Sequence, residues 1–307
     1  MSTCIIVGRR NGGIVLEGQI RKAISGFYYV FDGTRLVECK SRGVFRKRGI
    51  HPLVGDHVVV EEDEKSAVIM EVKTRKNELV RPPIANVDQA LLVFSIVEPD
   101  FSTHLLDRFL TVIESHRIEP IICLTKKDLA NEADLESVAE KARYYEKIGY
   151  QVLTTYIDEP GLAGQLAPIL KGKVTVLAGQ SGVGKSTLLN TVLPSLSLKT
   201  GEISDALGRG KHTTRHVELL EMADGLVADT PGFSSLELNH LEKEQLSSQF
   251  VEFHEASVDC KFRGCLHLNE PQCAVKELVE TGNIASFRYD NYLYFLNEIM
   301  ERKPRYS

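Results

Sequence analysis

The sequence predicts an α/β protein with a small N-terminal β-barrel, a central parallel sheet covered by helices, and a helical C-terminal segment organised on a cysteine and histidine cluster. Three observations predict it. Short β-rich runs fill the first part of the chain, apolar strands alternate with helical periods from about residue 84, and three cysteines and a histidine fall within fourteen residues near the C-terminus. The expected domain boundaries are 1–75, 84–236 and 237–307.

A chain of 307 residues can bury a core in each part, and its 43% hydrophobic and 26% charged content is ordinary for a globular protein. The start, Met1 to Val7, has no cationic region followed by a long apolar one, and no apolar run reaches bilayer length. The expectation is a cytoplasmic protein with no membrane partner, monomeric by default. A net charge of -5 is unlike that of a bulk polycation, but the first fifty residues are locally basic, with Arg9, Arg10, Arg21, Lys22, Arg35, Lys40, Arg42, Arg46, Lys47 and Arg48 against Glu17, Asp32 and Glu38. Such asymmetry marks a polyanion-facing surface or simply a solvated face.

In chain order, β-rich runs at 4–7, 14–20, 26–31, 35–39, 56–60 and 67–72 are separated by turn signals such as Asn11-Gly12-Gly13 and Asp32-Gly33. Five or six short strands in that length read as a small barrel, with the oligonucleotide-binding (OB) fold the leading candidate. Phe27, Tyr28 and Tyr29 lie close to basic residues and read as core rings more than as stacking platforms. Asn77 to Pro83 reads as a linker. Beyond it, Val87 to Val97 is a near-continuous apolar strand, a helix follows through Ile113, and Pro120 to Leu124 is a second buried strand.

That strand runs into Thr125-Lys126-Lys127-Asp128. Guanine presents N1–H and N2–H₂ side by side, and one carboxylate can accept from both, whereas adenine has no such pair; Asp128 at a strand end can read guanine in this way and the Lys126 stem can cover the base, although a charged loop after a strand is common and the motif gains weight only beside a phosphate loop. After a helix from Ala133 to Ile148, a strand from Tyr150 to Thr155 and a helix from Pro160 to Leu170, the apolar run Lys173 to Ala178 leads into Gly179-Gln180-Ser181-Gly182-Val183-Gly184-Lys185-Ser186, and Thr187 begins a helical pattern. This is a strand, phosphate loop and helix in the required context: N–H groups converge on phosphates, Lys185 reaches the outer ones, and Ser186 is placed for Mg²⁺.

Lys199 to His216 is rich in glycine and polar residues and is expected to be mobile without ligand. Strands at 217–220 and 226–228 follow, the second ending in Asp229-Thr230-Pro231-Gly232, where Asp229 can hold the Mg²⁺ water shell and the Gly232 N–H can sense a γ-phosphate. Cys260, Cys265, His267 and Cys273 match a closed, structural Cys₃His zinc site.

These are the parts of a guanine-nucleotide switch in an unusual order, because the base reader at 125–128 precedes the phosphate loop at 179–186. The chain reads as circularly permuted. A permuted GTPase between a barrel and a zinc cluster resembles the ribosome small-subunit-dependent GTPase family (RsgA type) over nearly its whole length. The resemblance implies GTP and GDP as ligands, Mg²⁺ and one structural Zn²⁺ as metals, the small ribosomal subunit and its rRNA as partners, and GTP hydrolysis stimulated by the particle late in its maturation. There are two departures from common GTPase patterns. Thr154-Thr155 stands where Ser-Ala is usual, leaving the second guanine contact unassigned, and Phe233 stands where a water-orienting glutamine is found. His212 is therefore the candidate for positioning water, and Thr214, or less so Thr213, for binding Mg²⁺. A P-loop kinase would leave the Asp128 motif without purpose. An RNA-binding protein that uses GTP only as a switch ligand, without significant turnover, stays open.

Overall fold

The computed structural model describes residues 6–10, 13–157, 159–192, 217–229 and 236–302, and these fall into two compact units. One comprises Met1–Gln89, Pro160–Leu177 and Ser186–Ser234; the other comprises Ala90–Glu159, Ala178–Lys185 and Ser235–Ser307.

In the first unit β1 (Ile6–Arg10) pairs with β2 (Gly13–Ile24), and β2 then borders both β3 (Phe27–Phe31) and β5 (His57–Glu62). β3 pairs with β4 (Leu36–Ser41), β4 with β6 (Ala67–Val72) in parallel, and β6 with β5, which closes a five-stranded barrel. Its order around the barrel, β2-β3-β4-β6-β5, with α1 (Gly43–Lys47) inserted between β4 and β5, is OB-like. Alternation sets the core: Val37 and Cys39 of β4 and Val58 and Val60 of β5 point inward with Leu16, Ile20, Val30 and Ile69. Phe27, Tyr28 and Tyr29 are half-buried rather than core, since Val30 takes the inward position; Tyr29 donates to Glu38 at 3.0 Å and Lys40 lies over the Phe27 ring.

Residues 77–83, expected as a linker, contribute to the short hairpin β7 (Glu78–Leu79) and β8 (Ile84–Ala85). Leu79, Ile84 and Ala85 are buried, and the Asn77 amide brackets the Val87 backbone with bonds of 2.8 and 2.9 Å, so the segment is anchored by its own side chains. The same unit holds α4 (Leu162–Leu170), whose Leu162, Leu166 and Leu170 form one buried stripe, and β12 (Val174–Ala178), α5 (Lys185–Val192), β13 (Glu218–Met222) and β14 (Gly225–Asp229). β12 pairs in parallel with β14, β14 antiparallel with β13, and β13 meets β2 where Glu218 faces Lys22 across a 2.8 Å ion pair.

The second unit contains β9 (Gln89–Ser95), β10 (Glu119–Thr125) and β11 (Gln151–Thr154) in the order β11-β10-β9, with β10 and β11 parallel. Every residue of β9 is buried, as expected of a strand covered on both faces. The crossovers are α2 (Thr103–Ser115) and α3 (Glu132–Lys147), started by Ser102 and Asn131, whose side chains accept from Leu105 N and Asp134 N. The C-terminal helices are α6 (Lys243–Leu246), α7 (Val251–Ala256), α8 (Ala274–Glu280) and α9 (Ser286–Glu301), with Phe250, Phe253, Tyr292 and Phe295 forming their aromatic core. Among the described residues no helix is long and apolar enough to cross a membrane.

Candidate nucleotide site and metal centre

The phosphate loop is shaped by what its backbone must avoid. β12 ends at Ala178 and α5 begins at Lys185, leaving 179–184 to make the turn. Gly179 has φ +139°, and a Cβ there would collide with the Val93 carbonyl oxygen; Gly184 has φ +94° and sits against the Ile157 side chain. A larger residue at 179 would displace the loop, and at both positions the left-handed backbone favours glycine. Val183 is buried and roots the turn, Gln180 is half-buried, and Ser181 and Gly182 face outward. Lys185 Nζ donates to Gly179 O at 2.9 Å and Gln180 O at 2.5 Å, which folds the ammonium back over the loop and uses two of its three donors. Burial lowers its pKa from the ordinary lysine value. Ser186, half-buried, and Thr187, exposed, follow in the first turn of α5.

The Thr125–Asp128 segment is attached to this loop directly. Thr125 is 1% exposed, and its hydroxyl donates to Val183 O at 2.7 Å with Phe94 O as a second acceptor at 3.2 Å. Thr125, grouped from sequence with the nucleotide contacts, therefore spends its proton on tying the end of β10 to the phosphate loop across 58 positions. Lys126 adopts φ +60° and donates to Glu98 O. Lys127 pairs with Glu159, Oε1 at 2.5 Å, with its Nζ 5.3 Å from the Tyr156 ring centre. Asp128 is exposed at the tip. The Thr154-Thr155 region lies beside it, because Lys127 N donates to Thr155 O and Thr155 N to Leu124 O. Glu159 and Tyr156 had no sequence motif to single them out; an acid four residues after a strand-terminal threonine was the available signal.

The β14 backbone ends at Asp229. His212, Thr213, Thr214, Thr230, Gly232 and Phe233 lie outside the described residues.

Cys260, Cys265, His267 and Cys273 converge, their ligand atoms all within 4.8 Å of one another. The Cys260 and Cys273 sulfurs are 3.9 Å apart, and His267 Nδ1 is 3.7 and 3.3 Å from them. Tetrahedral zinc at ordinary bond lengths requires about 3.8 Å between sulfurs and about 3.6 Å between nitrogen and sulfur. The spacing and the donor set fit that ion. His267 Nε2 lies 2.8 Å from Ser247 Oγ, an arrangement that leaves Nδ1 for the metal, and burial lowers the His267 pKa, favouring the neutral ring that ligates. Glu270 accepts from Leu266 N and Leu268 N, while Tyr289 and Tyr292 of α9 donate to the carbonyls of His267 and Leu266, so the ligand loop is held from both sides.

The RsgA GTPase family model matches residues 72–239, more than half of the chain, and the RsgA N-terminal domain model matches residues 17–69. The chain belongs to the RsgA GTPase family. It is 58% identical to the small ribosomal subunit biogenesis GTPase RsgA of Geobacillus kaustophilus over 291 residues, covering 94% of this chain and 99% of that protein. It is 56% identical to the protein of the same description from Bacillus subtilis over 297 residues, with the same coverage. Among solved structures it is similar to YloQ, described as a circularly permuted GTPase, with a TM-score of 0.82 at 48% identity over 98% of this chain and all of that one. YjeQ from Thermotoga maritima gives 0.83 at 37% identity over 94% of this chain and 100% of its own.

As an RsgA GTPase, the chain carries its motifs in permuted order, with 125–128 ahead of 179–186. The RsgA fold here also has a buried polar network that binds the α2 helix to the C-terminal helices. Arg288 bonds Asp107 at 2.5 Å and Glu252 at 2.7 and 3.0 Å, with its guanidinium 4.4 Å from the Phe250 ring centre. Tyr145 and Asn291 each donate to Asp107 at 2.6 Å. The sequence reading missed this cluster.

Proposed function

We propose that this RsgA-family protein is a GTP-hydrolysing assembly factor of the small ribosomal subunit, acting late in its maturation, stimulated by the particle, and released after hydrolysis. The observation that carries the reading is the 2.7 Å Thr125 to Val183 bond, which joins the loop carrying Asp128 to the glycine-rich loop carrying Lys185. The names of relatives 56–58% identical over nearly their whole length supply the partner. A ribosomal partner makes the cytoplasm the expected compartment, and a monomer the expected form. The OB-like barrel, with its basic excess, is taken as the rRNA-facing part.

Asp128 accepts from the guanine edge, and Lys126 and Lys127 flank it. Backbone N–H groups of 179–184 and the Lys185 ammonium hold the phosphates and stabilise charge that develops on the outer ones. The hydroxyls of Ser186 and Thr214, with Asp229 through water, would hold Mg²⁺, which when bound screens the phosphate oxygens; hard oxygen donors suit that ion. Gly232 N–H reports the γ-phosphate, and His212 positions the attacking water in place of the glutamine that Phe233 replaces.

The test is phosphate release from GTP and ATP with and without purified small subunits. Release from GTP alone, raised by subunits at least about tenfold and reduced about tenfold in His212→Ala, is the expected result. A protein that binds GTP and subunits without turnover would instead be an RNA-binding switch, the reading that Phe233 keeps in play. Zinc has its own check. Cys273→Ser, which replaces a buried thiolate, is expected to weaken zinc binding by more than about 100-fold and lower the melting temperature. Metal content by atomic absorption that equals wild type would reject the assignment.

A further inference from the structure

Thr155 to Ile157 and Glu159 lie beside the base-reading loop and are fixed there from several directions. Glu159 Oε1 bonds the Lys127 ammonium at 2.5 Å, its Oε2 accepts from the Thr155 hydroxyl at 2.7 Å, and Tyr156 N points to the same oxygen at 3.4 Å. The Lys127 ammonium also lies over the Tyr156 ring, and Lys127 N donates to Thr155 O. On the other side, Ile157 rests against Gly184 of the phosphate loop. One carboxylate thus holds a turn that touches both halves of the nucleotide corner.

We propose that Glu159 is a positioning residue for guanine recognition, fixing the Thr155 to Ile157 turn as the second wall of the base pocket and holding the Lys127 ammonium away from the neighbouring Asp128 carboxylate. This rests on the reading of Asp128 as the base contact. A cation free beside Asp128 would compete with the guanine N–H donors for its oxygens, and a loose turn would cost ordering entropy each time nucleotide binds. Glu159 is a negative partner supplied from 32 positions away, so the motif residue Lys127 is neutralised without involving Asp128.

Lys127 and Glu159 side chains are 32% and 17% exposed, so solvent screens part of the ion pair and the effect is moderate. Glu159→Ala is expected to raise the dissociation constants for GDP and GTP together by about 5- to 20-fold, and KM in step, with kcat within about twofold, because the phosphate contacts are untouched. Glu159→Gln keeps an acceptor for Thr155 and should fall between the two. Lys127→Met with Glu159→Ala should cost less than the product of the single effects, and the penalty should shrink as salt is raised. A merely structural role would lower the melting temperature without this split or coupling. Nucleotide affinities within about twofold of wild type in both Glu159 variants, or single effects that simply multiply, would overturn the proposal. A wild-type protein that binds ATP as tightly as GTP would instead overturn the Asp128 reading beneath it.

Discussion

Asp128→Asn is expected to transfer nucleotide preference from GTP to xanthosine triphosphate. A carboxylate accepts from both guanine donors, whereas an asparagine amide offers one acceptor and one donor, and its N–H₂ then faces the N2–H₂ of guanine. Xanthine carries an oxygen where guanine carries that amino group, so the same amide pairs with it correctly. Losing a charge-assisted two-point contact corresponds to about 3 kcal/mol, or GTP binding weakened by roughly 100-fold, and the xanthine nucleotide should gain by a comparable factor. Asp128 is exposed at the end of a loop anchored by Thr125 and Lys127, so the substitution should not disturb folding. Competition of GTP, XTP and ATP against a fluorescent GDP measures this. An asparagine variant that still prefers GTP would remove the base-reading role from position 128.

What the chain displayed in advance was local. The phosphate loop shows because glycines, a lysine and a serine must stand at fixed spacing between a strand and a helix, and β12 and α5 lie where that spacing puts them. The four zinc-type ligands show for the same reason: they sit within fourteen residues, and the fold only has to close one loop. β10 ends at Thr125 because its apolar run stops there. Contacts across long separations did not show. Lys127 in a charged motif looks solvent-exposed until Glu159 is brought to it, and Arg288, Asp107 and Glu252 each resemble surface residues of amphipathic helices although all three are buried. Nor could periodicity reveal that residues 77–83 contribute to a hairpin, because two-residue strands have no period to detect.

That buried network predicts the largest change in stability. Arg288 and Asp107 are 1% and 0% exposed and Glu252 7% at the side chain, so Arg288→Met strands two carboxylates without their cation. Breaking a buried pair from one side costs about 3–5 kcal/mol. The loss should depend on pH with a definite sign. Burial pushes the Asp107 carboxyl up, while Arg288, Tyr145 and Asn291 pull it back, so removing the arginine raises it further in the folded state and leaves the unfolded value unchanged. The folded variant then binds a proton that the unfolded chain releases, so its stability falls as pH rises above about 4, towards the folded value, and recovers on acidification. Adding Asp107→Asn to Arg288→Met removes one stranded charge while keeping an oxygen to accept from Tyr145 or Asn291, and should restore about half of the loss. Urea midpoints at pH 5 and pH 8 read both effects. If Arg288→Met costs under about 1 kcal/mol at pH 8, or if its cost is the same at both pH values, the network does not hold α2 to the C-terminal helices as a charged unit, and their attachment comes instead from His104 against the Tyr294 and Phe295 rings and from Arg108 with Glu298.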